Sequence, residues 1–279
     1  MNVHRLALTG LCATIACSRQ PPPPPASGPQ VVTITATDYA FGVPDTIPAG
    51  LVTLRLVNQG TELHHASLVR LGEGKTAADF RTGLEAAMKQ HSPPPPWIGF
   101  AGGPNAVEPG GTTTAIQVLE AGSYLLICWI PSADGVPHVM KGMMHPVVVA
   151  GPAAASAEPP ADVTVKLTDY DFEFTPALTA GPHTIRVENA GPQAHEIVIG
   201  ALAPGKTLRD LIAWEQGGEK GPLPTSRWLG GVATIDSGAH AAFRASFAPG
   251  QYVILCFWPD AKDGKPHLVH GMAKQITVS

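Results

Sequence analysis

The sequence predicts an all-β protein made of two tandem Greek-key β-sandwiches, each with a short helical insert. Three observations carry that expectation. Gly and Pro are abundant, and strand-like runs outnumber helix-like ones, as in all-β domains with many turns. The runs are short and bounded by Gly or Pro, about seven or eight in roughly 120 residues, the density of a Greek-key sandwich. An internal repeat governs everything from residue 31 onward, and such a repeat means that one structural unit is present twice.

The repeat can be followed element by element. The first copy begins "TATDYAFGVPDTIPAGLVTLRLVNQG" and the second "KLTDYDFEFTPALTAGPHTIRVENAG". They stand 131 residues apart through Asp38/Asp169, Tyr39/Tyr170, Asn58/Asn189 and Trp97/Trp228, and 128 apart at Tyr124/Tyr252 and Cys128/Cys256. "VVTITAT" and "VTVKLT" open the copies, and "LVTLRLV" and "HTIRVE" follow a Gly turn. "TTTAIQV" and "AAFRASF" precede a strand that ends in Cys, and "PVVVA" and "KQITVS" close. The expected layout is a signal peptide over 1–16, a Pro-rich tether over 17–30, and a first domain over 31–150. A linker over 151–162 and a second domain over 163–279 complete it.

The helical inserts are "KTAADFRTGLEAAMKQ" and "KTLRDLIAWEQ". Phe80, Leu84 and Met88 fall on one helical face of the first, and Leu208, Leu211 and Ile212 on one face of the second. Both begin Thr-x-x-Asp, a relative of the capping box. The expectation is a packing helix followed by a core Trp, Trp97 or Trp228.

The N-terminus reads as a targeting segment. Arg5 precedes a short apolar run, Leu6–Ala16, and a membrane-spanning helix needs about 20 such residues. Cys17 and the run Pro21–Pro25 follow, which resembles a bacterial lipoprotein signal with Cys17 as the acylated residue and a proline tether behind it. Charged residues are 14% with a mildly acidic balance, and no basic stripe points to nucleic acid. Cys12 and Cys17 belong to the targeting segment, leaving one Cys per domain. Exported proteins usually pair their cysteines, so two unpaired ones call for another use.

That use is metal binding. Nine residues separate Cys128 from His138 and ten separate Cys256 from His267; four more lead to Met143 and Met272. "LVNQGTELHHASLV" and "RVENAGPQAHEIVI" align without gaps and place His64 opposite His195. Thiolate, two imidazoles and a thioether form the trigonal His₂Cys set with a weak axial Met that protein copper uses for electron transfer. Met144 adjoins Met143, but the second copy has Ala273 there, which favours Met143.

With these motifs the chain resembles a tandem cupredoxin, the plastocyanin/azurin-type blue copper fold, over about 240 of its residues. The resemblance implies one copper held by His64, Cys128, His138 and Met143, and a second held by His195, Cys256, His267 and Met272. The Cys-to-His loop is similar to the type 1 loop of copper nitrite reductase. Many cupredoxins carry a small polar residue after the first His, tying the ligand loops together; here His65 and Glu196 stand there. A carboxylate at Glu196 predicts a lower potential for the second site. His65, His91, His145 and His270 have no His partner in the repeat and are expected at the surface, with His65 and His270 open to a supporting role. The metal is expected to be shielded, with one ligand edge near the surface.

Enzyme readings need more copper. Multicopper oxidases carry His-x-His pairs, absent here, and nitrite reductase has a His directly before the type 1 Cys, where this chain has Ile127 and Leu255. The expectation is therefore a non-enzymatic envelope protein with two type 1 coppers, lipid-anchored and serving redox protein partners, with no nucleic acid and no small-molecule substrate. Copper storage or delivery, or a non-catalytic relative or subunit of a copper reductase, are the alternatives.

Overall fold

Alternation of inward and outward side chains builds both sandwiches. The computed structural model describes residues 28–90, 94–154, 156–218 and 221–279. The signal segment, Cys12, the Cys17 anchor, most of the tether and His91 lie outside the described residues.

The first half contains β1 (Gln30–Thr37), β2 (Ala40–Gly42), β3 (Thr46–Asn58), β4 (Ser67–Leu71), α1 (Ala77–Gln90), β5 (Ile98–Phe100), β6 (Thr112–Leu119), β7 (Gly122–Ile127) and β8 (Met144–Ala154). The second contains β9 (Val163–Thr168), β10 (Asp171–Thr175), β11 (Gly181–Asn189), β12 (His195–Leu202), α2 (Leu208–Gln216), β13 (Thr225–Ile235), β14 (His240–Phe247), β15 (Gly250–Leu255) and β16 (Ala273–Val278). In the second half the two layers separate cleanly as β10-β9-β11-β14 and β13-β12-β15-β16. In the first, the long β3 serves both layers: Thr46–Pro48 pair with β8, and Val52–Asn58 pair with β1 in parallel. Strand β8 runs on to Ala154, opposite Gly50, into the segment expected to be linker.

The Cys strands break the alternation, for a packing reason. Tyr124–Ile127 and Tyr252–Leu255 are buried without interruption. Tyr124, Leu126 and Cys128 face the inner core, while Leu125 and Ile127 face an outer cluster that contains Phe80 and Leu84 of α1. Tyr252, Ile254 and Cys256 face in, and Val253 and Leu255 meet Leu211 and Trp228. A strand covered on both faces reads as a continuous apolar run. Its period of two still places each Cys on the inner face.

The inserts are packing helices. Thr76 and Thr207 accept from the backbone N–H of Asp79 and Asp210, whose carboxylates accept in return. The buried stripe of α1 is Phe80, Leu84 and Ala87, not Met88, which is 47% exposed. After Leu84 the stripe advances by three residues, and the adjacent Met88 falls outside the packed face. In α2 only Leu211 is fully buried. Trp228 is a core residue, whereas Trp97 is half-buried at the cluster's edge.

The halves join about a local two-fold. Residues 100–105 run antiparallel to 231–236: Gly102 N–H donates to Thr234 O at 2.8 Å and Ala233 N–H to Gly103 O at 2.9 Å. Pro104 lies opposite Val232, 128 residues away, the same separation as the two Cys. The packing is reciprocal as well. Ala194 and Trp258 pack on the outer cluster of the first half, and Leu63 and Ile130 on that of the second. Among the described residues no helix is long and apolar enough to cross a membrane.

Because Phe80 is fully buried against Trp129, Phe80→Ala is expected to cost about 3–5 kcal/mol. Met88→Ala should stay within about 0.5 kcal/mol. Urea unfolding of the two variants measures both, and equal effects would refute the packing assignment.

Candidate metal centres

Each ligand arrives on a predictable piece of backbone. His138 and His267 open short 3-10 turns, His138–Lys141 and His267–His270. Gly142 and Gly271 end these turns in the left-handed region, with φ of 101° and 106°, where a side chain is disfavoured. The chain then folds back so that Met143 N–H donates to His138 O (2.9 Å) and Met272 N–H to His267 O (3.0 Å). Val139 and Leu268 donate to the carbonyls of Cys128 and Cys256 at 2.8 and 2.9 Å. This clasp explains the recurring His-x-x-x-Gly-Met spacing.

His64 and His195 are set by the loop before them. Asn58 is buried and donates from Nδ2 to Glu62 O and Val107 O, while its Oδ1 accepts from Gly60 N–H. Asn189 makes the same three bonds to Gln193 O, Ile235 O and Gly191 N–H. Gly60 and Gly191 are required by close approach. A Cβ there would stand 2.8 and 2.7 Å from Nε2 of His64 and His195, and nearly as close to or closer to Asp38 and Asp169.

The structure brings the predicted residues together. His64, Cys128 and His138 form one buried group and His195, Cys256 and His267 another, with one ligand atom of each within 4.8 Å of the others. In the first group the two Nδ1 atoms are 3.1 Å apart, and Cys128 Sγ is 3.4 Å from Nδ1 of His138 and 3.9 Å from that of His64. In the second, Nδ1–Nδ1 is 3.0 Å and Cys256 Sγ is 3.5 Å from Nδ1 of His267. Met143 and Met272 are fully buried in the same core clusters as their Cys. Metals sit about 2.0–2.1 Å from imidazole nitrogen and about 2.3 Å from thiolate sulfur, and donor-to-donor edges of this size suit such a centre. Soft thiolate and imidazole donors fit copper.

The outer ring nitrogens are tied to carboxylates. His64 Nε2 lies 3.1 Å from Asp38, His138 Nε2 2.7 Å from Glu62, and His195 Nε2 2.7 Å from Asp169. Such partners fix which nitrogen faces a metal. His267 is the exception: Asp260 stops 3.8 Å away, and His267 Nε2 has no hydrogen-bond partner among the described residues. Burial holds His64, His195 and His267 below the ordinary imidazole range, His267 at about 4, so these rings are neutral and have lone pairs to offer. Burial pushes the Cys128 thiol up to about 12 and the Cys256 thiol up as well.

Two sequence expectations are corrected. No ligand edge reaches the surface: all four imidazoles are fully buried, and Tyr39 and Tyr170 stand edge-on to His138 and His267 at 5.2 and 5.3 Å. His65 is buried, not a surface residue. It accepts from Trp129 N–H at 2.8 Å, and Glu196 accepts from Phe257 N–H at 3.1 Å. Both therefore tie the His loop to the residue after the ligand Cys, in place of the small polar residue. Burial pushes Glu196 up to about 7, so it is not the plain carboxylate assumed in ranking the two potentials. His145 pairs with Asp45, and the exposed His270 pairs with Asp263.

Sequence reasoning missed Asp38, Asp169, Tyr39 and Tyr170 as supports, although the repeated Thr-Asp-Tyr at 37–39 and 168–170 was their signal. It also missed Glu62, Asp260 and Asn105, which have no identical counterpart in the other copy.

The strand order and the paired ligand groups decide the fold. Each half is a cupredoxin-like β-sandwich with one His–Cys–His group. No protein-family model matches the chain, and no curated protein does. Among solved structures it is similar to an auracyanin from the photosynthetic bacterium Roseiflexus castenholzii, with TM-score 0.31 and 20% identity over 45% of this chain and 100% of that one. Auracyanin A, a "blue" copper protein from Chloroflexus aurantiacus, gives 0.29 and 22% over 44% of this chain and 100% of that one. A multicopper oxidase gives 0.24 and 15% over 89% of this chain and 88% of that one.

Two outcomes test the centres. Asp38→Asn in a Cys256→Ser background should weaken copper binding at the first site about 10–100-fold, the usual effect of losing a ligand's supporting partner; competition with a chelator measures it. Copper must displace the proton of each buried thiol, so uptake should release about one proton per site from Cys and strengthen about tenfold per pH unit near neutrality. Calorimetry in buffers of different ionisation enthalpy counts those protons, and uptake without proton release would mean that the thiols are not ligands.

Proposed function

We propose that this protein is a two-centre blue copper electron carrier of the cell envelope. The observation that carries the reading is the duplicated, fully buried His–Cys–His group with a buried Met beside each Cys. Copper bound there supplies a one-electron couple, and thiolate and imidazole suit both of its oxidation states. The protein's share is to hold four donors on two clasped loops, fix the His rings through carboxylates, and keep water out with Tyr39 and Tyr170.

The rest of the reading is a carrier and not an enzyme. Ile127 and Leu255 stand where a reductase would place the His of a second copper type, and the chain has no His-x-His pair for an oxidase. The apolar leader and Cys17 support export and a lipid anchor. The two domain cysteines, Cys128 and Cys256, unpaired and buried, are consistent with metal thiolates in an oxidising compartment. The partners would be single-electron redox proteins of the same envelope.

Copper-loaded protein is expected to bind two coppers per chain and to show an intense visible thiolate-to-copper band. Cys128→Ser and Cys256→Ser should each remove about half of that band, because a Ser hydroxyl is a hard and weakly acidic substitute. Metal analysis with visible spectroscopy decides. Two coppers without colour would shift the reading to storage or delivery, and one copper or none would remove it.

A further inference from the structure

A polar path crosses the boundary between the halves, and its ends are the residues that directly follow the ligand cysteines. Trp129 directly follows Cys128, and its N–H donates to His65 Nε2 at 2.8 Å. Phe257 directly follows Cys256, and its N–H donates to Glu196 Oε1 at 3.1 Å. Asn105 stands between them. Its Oδ1 is 3.3 Å from His65 Nδ1, and its Nδ2 donates to Glu196 Oε2 at 3.1 Å. His65, Asn105 and Glu196 are 4%, 2% and 8% exposed. Covalent bonds and four hydrogen bonds thus connect Cys128 Sγ to Cys256 Sγ without passing through solvent.

The direction of each bond is fixed by its surroundings. His65 accepts at Nε2 from a backbone N–H, so its ring carries a proton on Nδ1 and donates it to Asn105 Oδ1. The Asn105 amide cannot be turned over. Its Oδ1 also accepts from Ala106 N–H at 2.8 Å, and its Nδ2 faces Ile197 O and Val232 O at 3.1 and 3.3 Å. A flipped amide would set donor against donor and acceptor against acceptor.

A structural staple does not require this chemistry. Trp258 already locks the halves, with its ring 4.4 Å from Phe100 and 6.2 Å from Trp129. Apolar residues in place of a buried imidazole, amide and carboxyl would hold such a boundary at lower desolvation cost. The local two-fold would by itself set like against like. The sequence instead places His65 on one side and Glu196 on the other, with Asn105 matching an acceptor face to the first and a donor face to the second.

We propose that His65, Asn105 and Glu196 form a built connection between the two centres, along which a single electron passes within the chain. The inference rests on both groups being copper sites. The step balances by itself: one centre is oxidised by one electron, the other is reduced by one, and no bond forms or breaks. Asn105 acts here as a positioning residue, since it touches neither centre.

The test is pulse reduction of the fully oxidised, two-copper protein with less than one electron per chain, followed in the visible band. Potentials titrated separately in Cys128→Ser and Cys256→Ser backgrounds, with and without the Asn105 change, give the driving force. The expected result is a first-order redistribution between centres, independent of protein concentration, that is lost in both Asn105→Leu and Asn105→Asp. The second variant keeps the volume and replaces the Nδ2 donor, which serves Glu196, Ile197 O and Val232 O, with a carboxyl oxygen. An unchanged redistribution in either folded, two-copper variant overturns the connection, as does a redistribution whose rate scales with protein concentration. A chain without the visible band would refute the electron-carrier reading instead. The connection is then read by nuclear magnetic resonance. Zinc loading of the first site in Cys256→Ser should shift the Phe257 amide signal, and Asn105→Leu should abolish that shift. No shift in the parent overturns the connection.

Discussion

Each half of the molecule depends on a backbone clasp between the end of a Cys strand and a single 3-10 turn. The turn's first residue is the second His, its Gly cap reverses the chain, and the following Met bonds back to that His. The same turn donates to the carbonyl of the Cys. The Cys and the second His are thereby brought to one point, with the Met packed in the same core cluster as the Cys. The remaining strands raise a wall around that point and carry in the first His, His64 or His195. Converging lone pairs in an apolar pocket repel one another and cost desolvation. A site of this kind is tolerated because the surrounding sandwich over-determines it.

Duplication solved a second problem, the exposed face of the outer sheet. A sandwich this small leaves its Cys strand needing cover on both sides, and α1 or α2 covers only part of it. The other half supplies the remainder, with Ala194 and Trp258 in one direction and Leu63 and Ile130 in the other. Residues beside the ligands therefore double as interface residues. The interface brings the ligand loops of the two centres toward each other, and the polar path through Asn105 is a consequence of that arrangement.

The parts of this structure written in periodic or repeated residues were legible in the sequence. Both sandwiches, the Thr-x-x-Asp caps and the convergence of His64, Cys128 and His138 and of His195, Cys256 and His267 follow from alternation, turn residues and the 131- and 128-residue offsets. Met88 failed because a helix face is set by the surface it meets, and α1 turns its Ala87 inward at that point. His65 was read as a surface residue because a single sequence does not show which half covers it; the cover is Asn105 and the second sandwich. Asn105 was invisible for the opposite reason to the ligands. It occurs once, at the axis relating the two copies, so the repeat carries no trace of it.

The two centres are copies in their ligands and not in their charges. In the first, Glu62 reaches His138 Nε2, and Ser132 joins Tyr39 beside it. In the second, Gln193 takes the position of Glu62 in the repeat, and the carboxylate has moved to Asp260, at the position of Ser132. The move keeps one carboxylate near each second His but lengthens its contact to 3.8 Å. A carboxylate bonded to a ligand raises the ligand's basicity and favours the more positive metal state. On that count a copper in the first centre, bonded through both rings, would hold its oxidised form more firmly than one in the second. Glu196 works the other way only to the extent that it is ionised, and burial opposes its ionisation. With copper in both centres, the order of the two potentials would follow less from the residue after the first His than from which loop carries the carboxylate for the second His.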